Sequence, residues 1–525
     1  MRRSLYAAAL TACLVVAPIS GITKTFKWSS QGDILTLDPH SQNEGLNIAA
    51  NLYVYEPLVR YDEQFKLEPA LAVSWEQVDP TTMRFKLRPD VKFHDGTPFT
   101  AEDVKFTFER AAAPSSNFKS YVNGVKEVKV IDPLTVDVIT NGPNPVLLRQ
   151  LPVLGMMSKA WSEKNNVTVP QNFKENEETF AARNTNGTGP YMLKSREVDV
   201  KTIYVENPNW WNKGNKKGNV TEIIYTPIKQ NATRTAALLS GELDFVLDPP
   251  AQDLNRLRQE VKVLDGNEYR TIFLGMDQDR PELLYSDVKG KNPLKDKRVR
   301  QAMYQAIDID AIKRAVMRGQ SIPTGAMIAP QVNGYADSIA QRLPYDPEKS
   351  KALLAQAGYP NGFEITLDCP NNRYINDEAI CQAIAAMWTK VGIKTKLTTM
   401  PRANYFPKIQ KRDTSVYMLG WGVPTFDALY SLQALIRSKG QGADGSWNHG
   451  GYSNPKVDEL IDQIKVEVDQ GKRTAMIEEA LRLHAEDVGH IPLHDQIIPW
   501  AMKKNVNALH RADNRLVVDW VVIDD

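Results

Sequence analysis

Apolar positions recur along the chain at two periods, and the exchange between them organises it. In "MRFKLRPDVKF", Met83, Phe85 and Leu87 fall on one side, the two-residue period of a strand with one buried face. "HDG" then supplies turn residues, Gly96 being free to take positive φ. Thr100, three residues before Asp103, opens a helix in the manner of a capping box. Val104, Phe108 and Ala111 line its apolar face, with Phe106 on the flank. Turn and helix together account for every charged side chain here, so His94 and Asp95 read as turn residues rather than a catalytic pair.

"VTEIIYTPIKQNATRTAALLSGELDFVLDPP" reads as strand, helix, strand. Its helix starts near Asn231 and stops at Gly241, a residue suited to the position just past a helix end. Leu243, Phe245 and Val246 form the returning strand, which makes one βαβ unit of a parallel sheet. Between Lys295 and Gly319 the apolar period is interrupted at Asp308, predicting two consecutive helices. Pro347 opens another helix and Gly358 ends it, ahead of a strand over Phe363 to Leu367. A helix carrying Ile380, Ile384, Met387 and Trp388 follows, then a strand from Ile393 to Leu397. The polar stretch from Gln171 to Asn186 reads as a surface loop. Such alternation predicts an α/β fold.

A length of 525 residues allows three to four domains by the usual prior. A net charge of +1 provides no basic field for nucleic acid. The N-terminus departs from this even balance. Arg2 and Arg3, an apolar run from Leu5 to Val16, then Ala17, Ser20 and Gly21 follow the order of a secretory leader, too short in its apolar part to anchor in a bilayer. Cleavage is expected near residues 21–23, giving domain 1–23 as leader and an exported mature chain near −1 once both arginines leave. Cys13, in "LTAC", lies inside the apolar run and reads as leader rather than an acylation site. Cys369 and Cys381 remain, twelve apart; in an oxidising compartment they are expected to pair, the alternative being two buried thiols.

Motif chemistry is sparse. "GQGADG", Gly440 to Gly445, satisfies G-x-G-x-x-G but neither follows a clear strand nor opens a helix. His484, His490 and His494 cluster in sequence, yet Pro492 breaks any helical face, so packing and hydrogen bonding are preferred to metal ligation. No nucleophile elbow, phosphate loop or zinc-protease motif is present.

Longer phrases carry more. "RFKLRPDVKFHDGTPFTAEDVKFTFER", "GTGPYMLKS", "NPNWWNKG", "SGELDF", "PLKDKRVRQAMYQAIDIDAI", "YDPEKSKALLAQAGYPNGF" and "LGWG" occur in this order, and together they resemble the family 5 extracellular solute-binding proteins, receptors of ATP-driven importers for peptides, nickel and similar solutes. The resemblance runs from about Lys24 to the C-terminus. It implies a bilobed fold like the type II periplasmic binding proteins, with an extra subdomain on the first lobe. Lobe I is expected at 24–52, 187–268 and 496–525, the extra subdomain at 53–186 and lobe II at 269–495. It also implies a periplasmic monomer that is not an enzyme, needs no cofactor or resident metal, encloses a short peptide or similar small solute, and docks on an ABC-transporter membrane permease. Within that class a metal chelate, an opine-like conjugate or an oligosaccharide stays open, as does an exported hydrolase outside it.

The same resemblance nominates ligand-binding residues. Arg373 in "PNNR" stands where peptide receptors hold the peptide carboxylate, and an arginine fork suits that task. Dipeptide receptors place an acidic residue three positions beyond the tryptophan of "GW"; here Pro424 stands there, and Asp427 in "GWGVPTFDALY" becomes the expected amine partner. Trp421 is expected to supply a flat wall, or else to be core, and Asn404 and Tyr405 of "PRANYF" to border the cleft.

Overall fold

The computed structural model describes residues 23–525; the expected leader, with Cys13, lies outside the described residues but for its last position. The alternating stretch near residue 85 becomes the strand Thr82–Leu87, with Phe85 and Leu87 buried. It is central in a four-stranded antiparallel sheet with Ala72–Asp79, Thr135–Thr140 and Val125–Asp132. Arg84 and Asp137 face each other across that sheet and make a two-pronged ion pair at 2.7 and 2.8 Å. The helix after the turn spans Ala101–Ala112, and Asp103 Oδ2 accepts the Thr100 N–H at 2.9 Å, as a capping box requires. His94 is a turn residue whose Nε2 meets the Gly189 carbonyl at 3.1 Å. Arg110 on that helix is fully enclosed and grips Asp38 at 2.7 Å through both outer nitrogens, which fastens this sheet unit to the N-terminal segment. Burial alone would raise the Asp38 carboxyl, but Arg110 and the Gln171 N–H hold it below its ordinary range.

The main sheet has eleven strands. One half is built on the central strand Thr25–Ser29, which pairs in parallel with Glu222–Tyr225 on one side and Phe245–Leu247 on the other. The helix Asn231–Leu239 joins those two flanking strands, and Gly241 takes φ +82° just past its end. The other half repeats the scheme. Asp346 caps the helix Pro347–Gln356, accepting the Lys349 N–H at 2.9 Å; Gly358 follows at φ +91°. The strand Phe363–Pro370, the helix Asp377–Lys390 and the parallel strand Ile393–Met400 form its βαβ unit. Asp308 caps the second of the two consecutive helices as its carboxylate accepts the Ala311 N–H at 2.8 Å. The stretch from Gln171 to Asn186 contains two short helical turns, Phe173–Glu175 and Phe180–Arg183, and buries Ala181 and Ala182. Gly440 to Gly445 runs as turns.

Two long strands, Lys262–Met276 and Ile491–Met502, belong to both halves. Residues 262–267 pair with 502–497, and register is lost before Thr271 meets Asp495. Beyond the break the two strands pair again, and the first gains Val416–Gly422 on its other edge. A sheet that breaks register and twists at one point divides into two lobes there. Cys369 and Cys381 are joined by a disulfide at the end of a lobe strand and the following helix. His484 lies on the helix Gln470–Glu486, and its Nε2 meets His490 Nδ1 at 2.9 Å; burial lowers both imidazoles. His494 lies on Ile491–Met502. Among the described residues no group of three or more His, Cys, Asp and Glu could hold a metal, and no helix is long and apolar enough to cross a membrane.

Candidate functional site

Where the halves meet, loops from both sides enclose two adjoining chambers that share Glu44, Gly45, Arg270, Arg373 and Asp513. The first is polar, with Trp28, Asp248, Glu268, Arg402 and Asn514 in its wall. The second is aromatic, walled by Tyr269, Phe406, Trp421, Tyr430 and Trp447. Trp421 and Tyr430 stack with ring centres 5.2 Å apart.

Element ends deliver Glu44, Arg373 and Arg402, and a break within a long strand delivers Glu268 and Arg270. Glu44 caps the helix Gly45–Asn51, its Oε2 accepting the Asn47 N–H at 3.0 Å. Arg373 follows the strand Phe363–Pro370, on a loop held by Asp377, which accepts the Arg373 and Tyr374 N–H groups at 2.8 and 3.0 Å. Burial pushes the Asp377 carboxyl up to about 6 against those donors. Arg402 begins the helix Arg402–Gln410, with its own N–H on Asn372 Oδ1 at 2.7 Å. Gly32 permits the approach of that side chain: a Cβ there would lie 3.0 Å from Arg402 Cζ. Glu268 and Arg270 sit at the register break and pair at 2.9 Å.

Electrostatics in this enclosure centre on Glu44. Arg373 Nε and Arg402 Nη1 lie 3.3 and 3.2 Å from its Oε1. Burial would raise this carboxyl, but Arg373 and Arg402, with the Asn47 N–H and Arg270, hold it down to about 2. The ion pair is close without hydrogen-bond alignment. Arg373 Nε, Arg402 Nη2 and Trp421 Nε1 are buried donors lacking a hydrogen-bond partner among the described residues. Unsatisfied buried donors are costly, and three around one cleft favour an incoming acceptor such as a carboxylate.

The residues nominated from sequence separate on this geometry. Arg373 and Trp421 face the chambers. Asp427 does not: it is 3% exposed, with both carboxylate oxygens on Arg473 at 2.6 Å and a further bond from Asn333. A carboxylate so committed has nothing left for an amine, and the expectation for Asp427 is corrected. Tyr405 is core, its hydroxyl donating to the Met418 carbonyl, and Asn404 points to solvent on the same helix. The helical period turns their neighbours Arg402 and Phe406 toward the cleft instead. Glu44, Asp248, Arg270, Arg402 and Asp513 went unforeseen. Only Glu268 and Arg270 left a trace, as opposite charges at the head of the apolar run Thr271 to Met276.

Comparison with known proteins agrees with this architecture. "Glutathione-binding protein GsiB" of Escherichia coli (strain K12) is 27% identical over 483 residues, 90% of this chain and 89% of that one. The periplasmic binding protein DppA of Helicobacter pylori, solved with the peptide STSA, superposes with a TM-score of 0.83 at 23% identity, covering 95% of this chain and 98% of that one. AgaA from A. tumefaciens R10, solved with agropinic acid, gives 0.83 at 24%, covering 95% and 99%. These likenesses show the type II periplasmic-binding fold, bilobed with its added subdomain. The family described as bacterial extracellular solute-binding proteins, family 5, matches residues 66–443, and this chain belongs to it.

Proposed function

We propose that the chain is the periplasmic receptor of an ABC importer, enclosing a short peptide between its lobes and delivering it chemically unchanged to a membrane permease. The observation that carries the reading is the convergence of Arg373 and Arg402 on one carboxylate of the opposite lobe, with donor positions still unfilled. A ligand carboxylate entering there completes those bonds and bridges the lobes. Only such a difference in affinity between open and closed forms can shift the population toward closure. The hinge falls near residues 268–271 and 495–497, where the long strands lose register. A leader at the N-terminus and delivery as a monomer fit this role. The curated relative named for binding glutathione, itself a peptide, supports the solute class.

A second reading, a compact non-peptide acid, is favoured by Pro424, which stands in the aromatic chamber where dipeptide receptors carry an acid. Native mass spectrometry of the exported protein separates the two. Masses fitting peptides, displaced by added tripeptides and lost in Arg373→Ala, are expected. A single non-peptide mass overturns the peptide reading.

A further inference from the structure

Four carboxylates line the two chambers: Glu44, Asp248, Glu268 and Asp513. Two are hydrogen-bonded at both oxygens, and Glu44 is hydrogen-bonded at Oε2 and ion-paired at Oε1. Glu44 faces Arg373, Arg402 and the Asn47 N–H. Glu268 accepts from Arg270 Nε at 2.9 Å and from Gln496 Nε2 at 3.0 Å. Asp513 takes the Arg511 fork at 2.9 and 2.8 Å, with the Arg515 N–H at 3.2 Å. Asp248 differs. Its Oδ1 accepts one long bond, 3.3 Å, from Asn514 Nδ2, and among the described residues its Oδ2 has no hydrogen-bond or ion-pair partner.

Its backbone is equally unusual. Asp248 follows the strand Phe245–Leu247 and precedes Pro249 and Pro250, and it holds φ +56°. Aspartate tolerates the left-handed region better than most residues, but the conformation still stores strain that surrounding structure must hold. Arg234, itself buried, contributes by reaching the Asp248 carbonyl at 3.5 Å. The result places a half-buried, under-bonded carboxylate in the wall of the polar chamber that also contains Arg373 and Arg402.

We infer that Asp248 is the residue that receives the primary ammonium of the ligand, so that the polar chamber reads both charges of a zwitterion. This rests on the peptide-receptor reading and adds to it a named amine partner in place of Asp427. Burial and the Glu268 carboxylate push the Asp248 carboxyl up to about 7, against the Asn514 N–H, Arg234 and Arg373. An ammonium beside it relieves that desolvation by forming a charge-assisted hydrogen bond. Arg373 and Arg402, acting on the ligand carboxylate, and Asp248, acting on its amine, select molecules bearing both groups.

Calorimetric titration of the full chain with reduced glutathione, tri-alanine and their N-acetylated forms tests this. Acetylation is expected to weaken wild-type binding about tenfold or more, as loss of a charged hydrogen bond does. Asp248→Asn should bind the free-amine and acetylated probes alike, at the affinity wild type shows for the acetylated ones, which also verifies that the variant is folded. Asp248→Glu, keeping the charge, should retain discrimination. If Asp248→Asn still discriminates against acetylation as wild type does, the assignment fails while the receptor reading stands. If wild type binds none of the four probes, the peptide reading falls and takes this inference with it.

Discussion

Asp427 and Arg473 form a bidentate pair almost out of contact with solvent, their side chains 4% and 1% exposed. Removing one partner of such a pair leaves the other charge desolvated and alone. Asp427→Ala is therefore expected to destabilise the chain by about 3–5 kcal/mol, read as a lowered urea midpoint, with ligand affinity of the folded variant unchanged. Replacing both partners by apolar residues of similar volume should restore most of that loss. Weakened ligand affinity at unchanged stability would return Asp427 to the site. The sequence showed Asp427 beside a glycine–tryptophan phrase but could not show its partner, forty-six positions later on the helix Gln470–Glu486. Arg373 was legible because a short phrase around it resembles a known one; Glu44 and Asp248, on loops with no such phrase, were not.

Local elements were legible wherever their ends follow local chemistry. The Thr100–Asp103 cap, the Pro347 start and the Gly358 stop all depend on atoms a few residues apart. What local pattern could not show is that Asp103 also accepts the Lys159 N–H at 2.9 Å, tying two helices together. Nor did it show the paired long strands. There Thr271 stands opposite Asp495 and its hydroxyl donates to the carboxylate at 2.6 Å. Burial raises the Asp495 carboxyl from 3.8 to about 7, Thr271 opposing. Between those values the unfolded chain gives up a proton that the folded chain keeps. This residue's contribution to stability therefore falls as pH rises through that window and is level above it. Asp495→Asn should flatten that part of the stability profile, by an amount on the order of a few kcal/mol across the window, in urea melts at a series of pH values. Superimposable wild-type and variant profiles would show that Asp495 ionises freely.

At the scale of the whole molecule, the cleft charges come from segments around residues 44, 248, 268–270, 373, 402 and 513. No local period links segments so far apart, which explains why the lobed fold was accessible from family phrases while, of the chamber wall, only Arg373 and Trp421 were. The assembled pattern has a mechanical side. Glu44 of one lobe lies between Arg373 and Arg402 of the other, so the protein supplies its own anion across the gap. Glu44→Gln removes that charge and keeps the shape and the helix cap. Arg373 and Arg402 then face each other without the anion that lay between them. Small-angle scattering of the solute-free variant should give a larger radius of gyration than wild type, collapsing when solute is added. Identical profiles would mean that other contacts hold the lobes together.

The Cys369–Cys381 bond joins residues twelve positions apart and closes a ring around the loop that presents Arg373. In the chain-entropy account, a crosslink of this span is worth about 3 kcal/mol. With the thiols reduced, that loop would be held by hydrogen bonds, among them those of Asp377 with the Arg373 and Tyr374 N–H groups, of Asn372 with the Arg402 N–H and of Asn376 with the Val316 carbonyl. On the proposed receptor role, the grip of Arg373 on solute is thereby tied to sulfur chemistry: a newly made chain is expected to reach its full affinity only after both thiols have met an oxidant, and a reductant applied later is expected to lower it, as calorimetric titration with and without reductant would show.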